Sequence, residues 1–552
     1  MKTAKSTAAA PSPNRAVARP AASRLRRRGF GRRGAARLIA WARHERLGTW
    51  LVAGFALAHG VLWTAILTQL KAAQDVHFDV AEGYAWGQKL LLGYGKHPPL
   101  SGWIAGAWFD VFPPTDWATY GLAMATVSVG MMICWQIALR VVDRRRAFLV
   151  VVMLALYPIF NFKGFKYNPD LLQLVTLPLL VLAYLDAFDK RTLRSGILLG
   201  AAGALALMTK YWVVTMIGAI GLAALIHPAR MLFLRSPAPW AAIVTMLALM
   251  IPHGIWLKQV NFAPFLYAGG YAISSHLQSL QLVLGYIGHN VALLALPLAL
   301  AALALAWSPR RWRLPWQDPR AFLAEPWSMR DPSRVRRDQA LNIWLIQGIV
   351  AVGPPLGALA FNVYLKTDWG ISLFFLVPLA VVAIPRLRVP GAAVMRLAAT
   401  WLLLTLLTLV LAPQIAIATL PHDAEGRFTH ISYSQLARQL TDIWRQRFHS
   451  PWKVVAGYTD VGEQMTFYSP DHPMPLTPYE PWPSGLTSLV EARREGFIGV
   501  CQVDDWKQAM CDQWMKDNAA NGERIVVSTR HFFKGQASAA TKWNVVIVPP
   551  GR

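Results

Sequence analysis

Apolar stretches close to the roughly 20 residues needed to cross a hydrocarbon core recur along most of the chain, and nothing else limits its possible folds so strongly. Spans are expected at 49–70, 117–139, 147–162, 171–188, 195–209, 211–226, 239–258, 281–307, 341–364, 370–385 and 394–418, about eleven in all. Composition agrees: 55% of the 552 residues are hydrophobic and only 15% charged, against roughly a quarter charged in soluble domains. The fold class is a polytopic α-helical membrane protein. The split near Lys210 is the one place where two short spans could be read as one long one.

The net charge of +26 is unevenly placed. Residues 1–48 hold Lys2, Lys5 and eleven arginines from Arg15 to Arg46 against one acid, Glu45. Alanine, serine and proline between them make this a disordered cytoplasmic tail near anionic lipid rather than a nucleic-acid arm, which would need folded or aromatic support. Basic short loops mark the cytoplasmic side. They fall at Arg140–Arg146, Asp189–Ser195, His227–Arg235, 308–340 and 385–388, while the alternate loops carry Asp79, Glu82, Asp170 and Asp368. This places the N-terminus inside and the C-terminus outside.

From about residue 419 the chain turns polar and rich in proline and aromatics. Strand-like runs (Lys453–Ala456, Phe497–Val500, Arg524–Ser528, Trp543–Val548) alternate with helix-like ones (Ser434–Arg447, Asp504–Asn518). The organisation is a tail 1–48, a membrane module 49–418 with outer loops 71–116 and 161–171, and a periplasmic α/β or α+β domain 419–552. Its Cys501 and Cys511, ten residues apart in an oxidising compartment, either close a disulfide or stay as two thiols. No Walker-type Gly-Lys-Ser/Thr loop is present to drive transport with ATP.

The first outer loop carries the chemistry. If 78–92 is helical, Asp79 and Glu82 share a face at i and i+3, with Tyr84, Trp86 and Leu90–Leu92 free to lie in the membrane interface. A carboxylate there could take a proton from an attacking hydroxyl. A second carboxylate would raise its pKa or, with Asp170, help hold a divalent metal. Pro98-Pro99 fixes the re-entry and holds Lys96 and His97 near phosphate depth. The second outer loop sets Lys163, Lys166, Tyr167 and Asn168 beside Asp170. Lys210-Tyr211 and Lys366 with Trp369 repeat an outer lysine with aromatics. Each alone could be a snorkelling lysine in an aromatic belt; together they suit a departing phosphate and a stacked sugar.

An acidic first outer loop, a Lys-His-Pro-Pro-Leu re-entry and an Asn-Pro-Asp at the second outer loop resemble the GT-C glycosyltransferases. The likeness is to the dolichyl-phosphate-mannose–protein mannosyltransferase and aminoarabinose-transferase-like group, with its rhizobial lipid A and core relatives. It covers roughly 49–385, most specifically 75–103 and 161–174. The resemblance implies an inner-membrane enzyme making an inverting transfer from a polyprenyl-phosphate sugar to lipid A, lipopolysaccharide, another glycolipid or protein, with Asp79 as base. The residue before Pro-Pro-Leu, often lysine in the aminoarabinose branch, is His97 here. Two other readings compete: a transporter or lipid-linked sugar flippase, and a scaffold whose outer-domain tryptophans bind envelope glycans. The ionisable residues cluster at span ends rather than mid-membrane, which favours the enzyme.

Overall fold

Among the residues that the computed structural model describes, seven helices are long and apolar enough to cross a membrane. The structure describes residues 45–270, 273, 275–306, 336–385, 387–420, 430–478 and 485–551. Most of the basic tail, most of the 308–340 loop and Trp482 lie outside them.

The membrane part runs α1 (Glu45–Leu70), α2 (Phe78–Gly87), α3 (Leu100–Phe109), α4 (Asp116–Val141), α5 (Arg144–Leu156), α6 (Pro169–Lys190), α7 (Leu193–Leu207), α8 (Val214–Ile226), α9 (Arg230–Leu234) and α10 (Pro237–Gln259). It continues with α11 (Ala263–Gly269), α12 (His276–Ala306), α13 (Arg337–Phe361), α14 (Val377–Val382) and α15 (Gly391–Ala418). The long spans are α1, α4, α6, α10, α12, α13 and α15; α7 and the stretch Tyr211–Ile226 are shorter apolar helices. Lys210 does separate two of them.

Two expected spans are not continuous α-helices. The one at 147–162 bends by 80° after Leu156. Tyr157 precedes Pro158 and is extended (φ −75°, ψ 126°), because a residue before proline is pushed out of the helical region. The one at 370–385 is a 3₁₀ helix, Thr367–Phe374, followed by the six-residue α14, which restarts with Pro378 in its first turn.

The polar end of the chain folds as α16 (Tyr433–Phe448), β1 (Val454–Ala456), α17 (Thr459–Tyr468), β2 (Met474–Leu476), α18 (Leu489–Glu495), β3 (Phe497–Gln502), α19 (Gln508–Asn518), β4 (Glu523–Thr529), β5 (Phe532–Phe533), β6 (Gln536–Ala537) and β7 (Thr541–Val548). Five strands pair in the order β2-β1-β3-β7-β4, the first three parallel and the last three antiparallel. All four expected strands and both expected helices are present. One sheet face packs Val455, Ile498, Val500, Trp543 and Val545 on Leu436, Leu440 and Trp444 of α16. Trp444, Trp452 and Trp543 are thus core residues rather than glycan platforms, whereas Trp506 is 82% exposed. Cys501 and Cys511 are disulfide-bonded and join β3 to α19.

The two parts meet over α2. Phe467 of α17 packs with Val76, Val80, Ala81 and Tyr84, and Leu486 packs with Ala85, Trp86 and Tyr94. Asp75 accepts from the Ser434 backbone N–H at 2.8 Å and its hydroxyl at 2.9 Å, and Gln464 Nε2 donates to the Val76 carbonyl. Tyr84 and Trp86, expected in the lipid interface, are instead buried within the protein. The helix expected over 78–92 stops at Gly87, leaving Leu90 and Leu92 exposed beyond it.

Candidate active site

α2 presents its first turn to the start of α6. His77 caps α2, its Nδ1 accepting from the Asp79 N–H at 3.2 Å. Asn168 caps α6 in the same way, Oδ1 accepting from the Leu171 N–H at 2.9 Å, with Pro169 in the first turn, where its missing N–H costs nothing. The other end of that amide reaches across: Asn168 Nδ2 donates to Asp79 Oδ2 at 2.8 Å. Lys166 Nζ stands 3.5 Å from the same oxygen.

Asp79 and Glu82 share a helix but have different partners. Glu82 Oε1 lies 2.7 Å from Lys96 Nζ, in a pair almost closed to solvent. Lys96 sits in a tight turn between Tyr94 and His97, whose backbone groups exchange two hydrogen bonds, and Trp86 stacks on Tyr94 at 5.1 Å. Just beyond, the Leu100 N–H donates to the Met208 carbonyl. That bond draws the turn toward Lys210, whose Nζ contacts both Asp170 oxygens at 2.7 and 2.9 Å. Gln173 Nε2 also donates to Asp170. Lys210 Nζ lies 5.2 Å from the Trp369 ring centre, and Trp369 packs on Trp212.

Electrostatics ties these groups together. Burial alone would raise the Asp79 carboxyl, but His77, Lys166, the Asn168 hydrogen bond and Lys96 outweigh it and hold it well below the usual carboxylate range. Burial lowers His77 to about 4, so near neutral pH the cations holding Asp79 are the lysines. For Lys96, burial is offset by Glu82 and Asp79, which keep it charged. His97 is pushed well below its ordinary value by burial and then by Lys210 and Lys96, so it is neutral at working pH. Its Nδ1 is buried and, among the described residues, has no hydrogen-bond partner.

The remaining expected residues divide. Lys163 meets Asp368 at 3.3 Å and His289 at 3.2 Å, and Lys366 lies close enough to His77 to lower it. Tyr167 is buried and donates to the Ser101 carbonyl, so it supports α3 from below the site. Tyr211 meets His253 at 3.0 Å. Asp79, Glu82 and Asp170 each pair with a separate lysine, and among the described residues no three His, Cys, Asp or Glu side chains gather as a metal set. The sequence reading does not reach His77, Gln173, His253 and His289, nor Tyr267, whose ring centre lies 5.9 Å from Lys96 Nζ and 5.9 Å from the His97 ring. Only His77 had a local signal, two residues before Asp79 at a helix start.

Residues 96–256 match the family model of the dolichyl-phosphate-mannose-protein mannosyltransferases, a range that includes the lysine-rich turns but not Asp79. Over 223 residues the chain is 24% identical to the lipid A galacturonosyltransferase RgtD of Rhizobium johnstonii, covering 39% of this chain and 44% of that one. The chain thus spans less than half the length of this curated relative. The crystal structure of ArnT from Cupriavidus metallidurans bound to undecaprenyl phosphate superposes with a TM-score of 0.55 at 14% identity, over 90% of this chain and 97% of ArnT. The apo form of that protein superposes at 0.48 and 15% identity. This chain therefore shares the fold of ArnT.

Proposed function

We propose that this chain is a membrane glycosyltransferase that moves a sugar from a polyprenyl-phosphate donor to a lipid A-type envelope acceptor on the periplasmic face of the inner membrane. What carries the reading is the meeting of Asp79 with Asn168, Lys166 and Lys96 at one end of a fold shared with ArnT, whose crystal structure holds undecaprenyl phosphate. RgtD supplies the acceptor class.

In this reaction an acceptor hydroxyl attacks the anomeric carbon from the side opposite the phosphate. The carbon–phosphate-oxygen bond breaks, and the lipid phosphate leaves with the electron pair. The hydroxyl proton passes to Asp79. Lys96 and Lys210, both close to His97, neutralise the charge growing on the phosphate where nearby hydrocarbon strengthens the attraction. Glu82 positions Lys96, and Asp170 with Gln173 positions Lys210.

A carboxylate held so low is a weak base. The donor supplies the correction: its phosphate competes for the lysines, and as they turn to it Asp79 loses part of its stabilisation and gains basicity. The base is therefore strongest only with the donor in place, which limits idle deprotonation. The test is turnover by the purified full-length chain in a bilayer with a polyprenyl-phosphate sugar. Asp79→Asn keeps shape and removes basicity, so the rate should fall about 100-fold or more. An unchanged rate with normal folding removes Asp79 from the chemistry.

A further inference from the structure

We propose that the β5–β6 hairpin is a membrane foot, seating the terminal domain on anionic phospholipid headgroups beside the ends of α1 and α15.

The segment reads Arg530-His531-Phe532-Phe533-Lys534-Gly535-Gln536-Ala537, and no acidic residue occurs between Arg530 and Lys542. Lys534 (φ 46°) and Gly535 (φ 81°) form the two-residue connection, both in the left-handed region that tight hairpins require. Phe532 pairs with Ala537 and Phe533 with Gln536, and below them His531 and Ser538 exchange two hydrogen bonds. A hairpin of two rungs does not hold itself in water.

Phe533 supplies the support, packing on Ala73, Ala416 and Leu420 where α1 and α15 end. His531 Nδ1 stands 3.8 Å from Asp75 in the same loop. The wall that continues from this contact is apolar and bare: Leu403, Leu407, Val410 and Ile415 of α15 are all exposed. On a membrane-spanning helix such a strip faces lipid, and it runs to within one residue of Ala416.

Successive strand residues point to opposite faces, so with Phe533 turned to the helices Phe532 turns away, 68% exposed. An aromatic beside Arg530 and Lys534 at the end of a lipid-facing wall fits the headgroup layer, where aromatic rings settle and each lysine or arginine gains from anionic lipid. The charge fixes the partner as anionic lipid. The inference rests on the membrane-spanning reading and not on the glycosyltransferase one, so either can fail alone.

The test uses the full chain in nanodiscs of phosphatidylcholine with a third phosphatidylglycerol. Phe532→Cys is labelled with an environment-sensitive dye; Cys134 is buried and the other two cysteines are bonded. Quenching by headgroup-depth spin-labelled lipid at least threefold stronger than by aqueous iodide is expected, with the reverse at a dye on Trp506→Cys. The unlabelled chain gives a second readout: amide exchange at 531–538 should slow at least fivefold in these nanodiscs relative to pure phosphatidylcholine ones. A dye at 532 that only iodide quenches, or exchange indifferent to lipid charge, overturns the proposal.

Discussion

Asn168 uses one amide for two tasks: its oxygen starts α6 and its nitrogen holds Asp79, so the geometry of the proposed base is set by a helix cap. Lys166 adds charge to the same oxygen. The pH consequence has a definite sign. With its carboxyl held below the usual range, Asp79 stays ionised through the whole neutral region, so the parent enzyme should show no acid limb from this residue between pH 5 and 8. Lys166→Met removes a stabilising cation, raises the Asp79 carboxyl and moves the acid limb of kcat/KM to higher pH. A profile of kcat/KM against pH from 4.5 to 8 for both enzymes is the measurement, and superimposable profiles refute the assignment. His97 makes a converse case. Being neutral, it adds no cation for the phosphate, so His97→Gln should leave the shape of the profile between pH 6 and 9 unchanged.

At the level of elements, α2 is held by a helix that sequence patterns did not connect with it. Phe467 of α17 is buried against Val80 and Tyr84, on the helix that presents Asp79. Phe467→Ala should cost about 3–5 kcal/mol of local stability and lower kcat more than a core cavity remote from α2 would. Differential scanning calorimetry and turnover together check this, and Phe467→Leu should recover most of both. On its other side α2 meets α3 through backbone: a Cβ on Gly87 would fall 2.5 Å from the Gly106 nitrogen. Gly87→Ala must therefore push the two helices apart, and turnover should fall at least tenfold while the terminal domain, read by its tryptophan spectrum, stays folded. What was legible beforehand follows the same line. Asn-Pro-Asp and Asp-x-x-Glu could be read because each is a local pattern at a helix start. The Asn168–Asp79 bond spans 89 residues of sequence and the Phe467–Tyr84 contact far more, and neither leaves a periodic trace. Tyr84 and Trp86 looked like interface aromatics because a buried ring and a lipid-facing ring have the same sequence signature.

Across the whole molecule, charge is sorted by end. Asp79, Asp170, Asp368 and their lysines gather at the end covered by the terminal domain. At the other end Arg140 pairs with Asp186, Arg336 contacts Asp189 at 3.0 Å, Arg145 reaches the Val389 carbonyl, and His227 meets the Asp338 carbonyl. These are the basic loops that the sequence alone assigned to the cytoplasm. The positive-inside bias acts on such short loops, so the second end should face the cytoplasm and the end that holds Asp79 the periplasm. Arg194 lies on the basic end and Trp506, near the disulfide, on the terminal domain; both are exposed. In intact cells a membrane-impermeant maleimide should label Trp506→Cys and spare Arg194→Cys until the inner membrane is opened. Labelling of Arg194→Cys alone would invert the molecule and put the proposed donor site on the cytoplasmic leaflet. Labelling of both in sealed cells would place the two ends on one side, which spans packed as α1, α4 and α6 are here do not allow.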